Sequence, residues 1–285
     1  MSAGKRRLNK WGLHAVLIVL AIITLVPYLW LIVASLKSQD DFFSAIFFPP
    51  GDGAFGIGWD KLTLSNYKNL YYEHDFGINL INSLFYSATT ALLATFICAA
   101  TGYVLAKHSF RGRNLITVVV LGALIVPPTL LLAPGYELIY DLNLLDTAWG
   151  LLLPLIAPAF GVFLFRQAVI QSVPDELLEA ARIDGCSEWS IFFIVVLPLV
   201  RPMIGAFMLI TFLAMWNNFI SPQIILQSAE KQPLSVAISQ LRGVYKTDYG
   251  LLTAATVVSV LPVAALFLLL QKQFISGLTS GAVKG

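Results

Sequence analysis

The chain is poor in charge. Of its 285 residues, 12% are Asp, Glu, Lys or Arg, and 58% are hydrophobic. An average soluble domain carries about 25% charged residues, so a wholly water-exposed fold is excluded. Cysteine is scarce: Cys98 falls in an apolar run and Cys186 in a polar stretch. No bridge between them is expected, and no zinc-type spacing exists. None of the three histidines has a metal partner at helical spacing. The net charge of +2 points to no nucleic-acid partner. There is no Gly-x-x-x-x-Gly-Lys-Ser/Thr loop to cradle phosphates, so the chain cannot hydrolyse ATP alone. No Asp, Lys or Arg lies well inside an apolar stretch, and Glu137 stands at the edge of one. Ion-coupled carriers keep ionisable groups in the membrane to carry the coupling charge, so their absence argues against secondary transport. No catalytic residue and no metal ligand is expected.

What the chain has instead is long apolar runs. After a basic head, 1–12, residues 13–36 are apolar almost throughout. At 1.5 Å per residue they reach about 36 Å, enough to cross a bilayer with tilt. The run is too long for a signal-peptide core, and Val33-Ala34-Ser35 is a poor cleavage site, so it is read as an uncleaved first span. Residues 37–78 are polar, aromatic and glycine-bearing, an outer loop. Further spans are predicted at 79–106, 114–136, 149–170, 203–226 and 251–271, with a tail at 272–285. The expected fold is an all-α polytopic membrane protein with six transmembrane helices, five of them in a core over 79–271. Pro27, Pro127, Pro128, Pro154, Pro158 and Pro262 fall inside spans and predict kinks.

Lysine and arginine set the orientation. With the amino terminus inside, twelve basic residues face the cytoplasm, including Lys107, Arg111, Arg113, Arg166, Arg182 and Arg201. Six lie outside: Lys37, Lys61, Lys68, Lys231, Arg242 and Lys246. Both termini of this multi-pass membrane protein are therefore expected in the cytoplasm. His108, in the basic turn 107–113, is expected to be a solvated interfacial residue.

One hydrophilic stretch interrupts the runs. Residues 172–202 carry Asp175, Glu176, Glu179, Asp184 and Glu188, five of the sixteen acidic residues. The order predicts helix, turn, helix. Pro174 suits a first helical position, and Asp175 and Glu176 complement the helix dipole. Glu179 and Arg182 are spaced to pair. Gly185 suits a left-handed helix end, and Ser187 can cap a second helix running toward Pro198. Ala180 and Ala181 leave one side nearly flat for a partner's groove.

Glu179-Ala180-Ala181, Gly185 four positions later, then Val195-Val196-Leu197-Pro198 resembles the EAA loop of ABC-importer permeases, with Val195 where isoleucine is usual. The resemblance covers nearly the whole chain from about residue 63. It includes Thr63-Leu64-Ser65-Asn66-Tyr67, Asn82-Ser83, Tyr103-x-x-Ala106, the turn at 141–147, Trp216-Asn217-Asn218-Phe219 with Pro222, and the closing Gly277-Leu278-Thr279-Ser280-Gly281-Ala282-Val283-Lys284-Gly285. Gln271-Lys272-Gln273-Phe274 departs from the commoner Gln-Arg-Tyr-Phe, and Thr253 stands where methionine is frequent. The similarity is greatest to carbohydrate permeases of the smaller, six-span kind, and the fold it implies is the type I permease core.

The resemblance implies a cytoplasmic coupling helix formed by Glu179, Ala180, Ala181, Asp184, Gly185, Leu197 and Pro198, docking into an ATPase subunit. It also implies that the tail, at Gly277, Gly281, Lys284 and Gly285, reaches that ATPase, although composition alone suggests a flexible end. The partners implied are a second permease subunit, two copies of a cytoplasmic ATPase, an extracytoplasmic solute-binding protein, a sugar and membrane lipid. The resemblance implies no cofactor on this chain, with ATP and magnesium on the partner ATPase. Amides and aromatic faces in the spans suit a carbohydrate, making Trp216, Asn217, Asn218 and Tyr136 candidates for the solute path, with interhelical hydrogen bonding the alternative role for the amides. A polyol phosphate such as glycerol phosphate is a second cargo. A membrane scaffold or secondary carrier is the reading outside this class.

Overall fold

The computed structural model describes residues 3–243 and 247–282. Lys246, Val283, Lys284 and Gly285 lie outside the described residues. No strand forms among the described residues; two isolated bridges, Lys37 to Leu62 and Pro50 to Ile57, are the extended pairings. The chain divides into two compact units, residues 1–76 with 238–261 and residues 77–237 with 262–285.

The first unit begins with α1, Ala3–Ser35. From Trp11 to Leu29 every side chain on it is exposed. A helix apolar all round needs an apolar surrounding, which a bilayer supplies. The following segment is more ordered than the outer loop expected at 37–78. It contains a helix, α2 (Ser65–Tyr72), and α3 already begins at Phe76. The family-like Asn66 and Tyr67 tie α2 to the end of α1. The Asn66 amide donates to the carbonyls of Ser35 and Lys37 at 2.8 Å each, and Tyr67 Oη lies 2.6 Å from Ser35 Oγ. Gly250 belongs to the same knot: a Cβ there would lie 2.8 Å from both Asn66 Nδ2 and Lys37 O. Lys37 is fully buried and donates to Ala45 O at 2.6 Å.

The second unit holds nearly all of α3 and the three bent helix pairs, while the last span is divided between the two units. Helix α3 (Phe76–Lys107) is long enough to cross a membrane, as are Trp11–Ser35 and Tyr249–Leu269. Three more spans are bent pairs, bringing the total to six when each pair is taken as one span. The predicted span 114–136 is α4 (Arg113–Ala123) followed, after Pro127, by Pro128–Asp141 at 101°. This is a break rather than a kink: Pro127 is extended, with φ −61° and ψ 128°. Its second part contains α5 (Leu132–Asp141). The span at 149–170 is α6 (Ala148–Leu152) with the turn to Leu155, then α7 (Ala159–Ser172), bent by 44° beside Pro158.

The predicted span 203–226 is also corrected. After α8 (Asp175–Ile183), the segment Glu188–Leu199 comprises α9 (Glu188–Ile191), a π-turn (Phe192–Val196) and α10 (Leu197–Leu199). It meets α11 (Arg201–Trp216) at 82°. Helix α11 ends at Trp216, and α12 (Ile220–Ile225) is a separate short helix. The chain closes with α13 (Leu234–Gln240) and α14 (Tyr249–Ala282). The tail expected from composition to be flexible is thus helical through Ala282, with Gly277 and Gly281 in its last turns.

The core explains two glycines. A Cβ on Gly102 would stand 2.7 Å from Arg166 N and 2.8 Å from Phe165 Cβ, and one on Gly161 would stand 2.6 Å from Cys98 Sγ. Each lets α3 and α7 approach closely. Around that contact, Cys98, Tyr103, Phe165, Val169, Leu178, Ile191, Phe192, Val196 and Phe207 form one buried cluster.

Candidate functional site

The acidic stretch folds as helix, turn, helix, with local differences from the expectation. Pro174 is the N-cap of α8, not its first helical residue, and Asp175 and Glu176 occupy the first turn. Gly185 has φ +82°, and Cys186 N donates to Ala181 O at 3.0 Å, closing the helix end. Ser187 Oγ accepts from Ser190 N at 3.2 Å and caps α9.

The Glu179–Arg182 pair does not form. Arg182 Nε donates instead to Glu188 Oε1 at 2.8 Å, which raises the guanidinium pKa above its usual value. The local turn brings Glu188 within reach, whereas Glu179 points away. Glu179 is exposed, and its carboxylate has no partner among the described residues. Nor do Ala180 and Ala181 form one flat outer side: Ala180 is exposed, but Ala181 is buried with Leu178 against the core. The outward surface is Glu179, Ala180, Ile183 and Asp184, with Ile183 86% exposed. An exposed isoleucine among carboxylates suits a partner with an apolar cleft and a basic rim. Leu197 packs against the core cluster while Pro198 is exposed.

The stretch is also tied to the end of α3. Lys107 Nζ donates to Asp175 Oδ1 at 2.7 Å. The Tyr103 hydroxyl donates to Glu188 Oε2 at 3.0 Å, and His108 Nε2 lies 3.3 Å from the same oxygen. His108 is therefore partnered rather than merely solvated. Tyr103 and Glu188 are 85 positions apart, so sequence spacing gave no sign of the contact.

The solute-path candidates are not brought together. Tyr136 lines a cavity of about 90 Å³ with Ile139, Ser221 and Ile224. Asn218 lines another, of about 240 Å³, with Thr90, Thr211, Phe160 and Met215. Trp216 is buried and stacks on Phe212 at 5.6 Å. Asn217 donates to Leu213 O of its own helix at 2.9 Å. Asn218 Oδ1 accepts from Ser221 N at 3.2 Å at the start of α12. Both amides thus serve local backbone, and the Asn218 side chain helps to start α12. Thr90 and Thr211 were not anticipated. The Thr90 hydroxyl is buried with no hydrogen-bond partner.

A second polar cluster was also missed. Asp146, at φ +57°, accepts through Oδ1 from the backbone N–H groups of Gln227 and Ser228, both at 2.9 Å. Through Oδ2 it accepts from Ser228 Oγ at 2.6 Å and Lys231 Nζ at 2.7 Å. On α3, Asn79, Asn82 and Tyr86 donate to the carbonyls of Gln232, Glu230 and Lys231 at 2.8, 2.7 and 3.0 Å. Lys231, then Ser228, hold the Asp146 carboxyl well below the usual carboxylate range. A depressed carboxyl pKa means stabilisation that is complete above the unfolded value, about 4, and lost as pH falls through the folded value. Amide exchange at Gln227 and Ser228 should therefore be constant from pH 7 to about 5, corrected for intrinsic rates, and lose protection only in stronger acid. Asp146→Asn should lower that protection roughly tenfold at neutral pH and remove its acid dependence.

Broken membrane spans around a charged, outward-facing helical loop define an all-α polytopic membrane protein of the ABC-importer permease type. Residues 99–280 match the family described as binding-protein-dependent transport system inner membrane component. The chain belongs to that family. It is 40% identical over 230 residues, 80% of each chain, to the arabinooligosaccharides transport system permease protein AraQ of Bacillus subtilis. It is 33% identical over 275 residues to the diacetylchitobiose uptake system permease protein NgcG of Streptomyces coelicolor, covering 95% of this chain and 88% of that one. The sn-glycerol-3-phosphate transport system permease protein UgpE of Pectobacterium atrosepticum is 31% identical over 280 residues, 95% and 97% of the two chains. A chain in the crystal structure of a bacterial ABC transporter for alginate import shares the fold, with TM-score 0.77 at 22% identity over 96% of this chain and 99% of that one.

Proposed function

We propose that the chain is one permease subunit of an ATP-driven, binding-protein-dependent importer of a neutral sugar or oligosaccharide. The observation that carries this is the exposed face of α8, whose Glu179 has no partner among the described residues and whose Leu178 and Ala181 are rooted in the core. A cytoplasmic ATPase, present in two copies and holding ATP and magnesium, engages that face through Glu179, Ala180, Asp184 and Gly185. The tail residues Gly277, Gly281, Lys284 and Gly285 add a second contact. A second permease subunit completes the path, and an extracytoplasmic binding protein delivers the solute. This chain has no ATPase site of its own. The distribution of basic residues supports a cytoplasmic position for both termini.

The sugar reading draws on the named cargo of the relatives and on the linings of the cavities. The larger offers hydroxyl and amide groups, including the unpartnered Thr90, beside Phe160. Neither cavity is lined by Lys or Arg, the side chains a phosphate would call for. That favours a neutral solute over glycerol phosphate, the cargo named for one relative. The test is uptake into proteoliposomes holding the whole complex and its binding protein. Accumulation of a neutral oligosaccharide that needs internal ATP is expected. Uptake without ATP, driven by a pH gradient, would overturn the reading, and uptake of glycerol phosphate alone would change the cargo.

A further inference from the structure

The acidic stretch carries two glutamates with opposite surroundings. Glu179 faces out and has no partner among the described residues. Glu188, its side chain 48% exposed, instead meets side chains from three places: Arg182 on α8, Tyr103 near the end of α3, and His108 just after it. We infer that Glu188 is a positioning residue for transport, the internal joint through which displacement of the loop is passed to α3. This rests on the reading of the loop as the surface an ATPase moves.

Apolar packing alone transmits compression well, but sliding poorly, because dispersion contacts are not directional. A carboxylate held by a guanidinium and a phenol fixes both distance and direction. The packing around Glu188 supplies the remaining constraint. Tyr103 is 3% exposed, with its ring stacked on Phe192, 5.9 Å away, so the phenol has little room to turn. Glu188 opens α9, whose first turn is capped by Ser187, so its backbone is fixed as well. The route is therefore α8 to Arg182, to Glu188, to Tyr103, to the long span α3. The Lys107–Asp175 pair ties the loop to α3 by one ion pair alone, at a carboxylate 74% exposed, whereas Glu188, 48% exposed, also holds the phenol of the buried Tyr103.

The inference predicts that weakening this joint lowers the solute carried per ATP hydrolysed, rather than the amount of complex. Glu188→Gln keeps shape but loses the charge. Tyr103→Phe keeps the ring stack and removes a single hydrogen bond. Glu188→Asp keeps the charge but is one methylene too short to hold Tyr103 and Arg182 together. In proteoliposomes with the ATPase and binding protein, Glu188→Gln should lower the solute-to-ATP ratio about tenfold and Tyr103→Phe about threefold to fivefold. Glu188→Asp should fall with them, which a requirement for charge alone would not produce. If Glu188→Gln fails to assemble, Tyr103→Phe decides the matter, since it preserves packing. Ratios unchanged from wild type in Tyr103→Phe and Glu188→Asp would overturn the inference. Glu179→Lys, measured alongside, separates the two levels. If it abolishes uptake while the Glu188 and Tyr103 variants match wild type, the ATPase reading stands and the joint is refuted. If it too is without effect, the reading itself falls.

Discussion

Glu179→Lys should reduce ATP-driven uptake by about a hundredfold while leaving the chain in the membrane at its normal level. Placing a like charge across a docked interface costs several kcal/mol, and each 1.4 kcal/mol is a factor of ten. The chain's own stability should not change, because the carboxylate has no partner among the described residues and stands in solvent. Gly185→Val should act similarly for a different reason. Nothing lies within 4 Å of where its Cβ would be, so there is no clash, but φ is +82°. A left-handed backbone costs an L-residue about 1–2 kcal/mol, with β-branched residues among the worst placed. The turn would relax and carry the face of α8 away from its partner. Uptake assays paired with quantitation of the chain in membranes check both variants. Loss of the protein itself would show that the loop is structural, and full uptake in Glu179→Lys would show that this face is not used.

Gly102→Val should fail at an earlier step, with several-fold less chain in the membrane. Its Cβ would stand 2.7 Å from Arg166 N and 2.9 Å from Phe165 C. Backbone atoms cannot turn aside as a side chain can, so α3 and α7 would have to separate. Overpacking of a close contact costs about 1–3 kcal/mol, and more where the backbone must move. The separation would open the cluster around Cys98 and Phe165 on which α8 and α9 rest. Gly122 and Gly135 have nothing within 4 Å of the same construction, so alanine there should be tolerated. Immunoblots of membranes from cells carrying the three variants make the comparison. Equal amounts throughout would mean the α3–α7 contact is looser than described.

The apolar runs and their prolines were readable because the bilayer demands long, nearly uncharged segments. So were the turn at Gly185 and the cap at Ser187, which are local signals carried by one residue each. What could not be read is what those signals leave free. A proline allows a kink or a break, and whether Pro127 and Pro128 bend the chain by a little or by 101° depends on the packing on either side. Arg182 had two glutamates within reach, at Glu179 and Glu188. The choice is made by the turn between them and by Tyr103, which the fold delivers from far along the chain. The loop anchored by Asp146 leaves no local signal, because Asp146 accepts from residues 227–231 and the loop's carbonyls accept from residues 79–86, both far along the chain. Asn217 and Asn218 drew attention as amides in an apolar run, yet most of their bonding is to the backbone beside them.

The protein carries its own probe for the side on which the loop lies. Cys186 is exposed, directly after Gly185, while Cys98 is fully buried. A membrane-impermeant maleimide should label Cys186 in inside-out vesicles and not in right-side-out cells, and adding the ATPase subunit should protect it. Labelling from the outer face, or labelling that the bound ATPase leaves unchanged, would contradict the account.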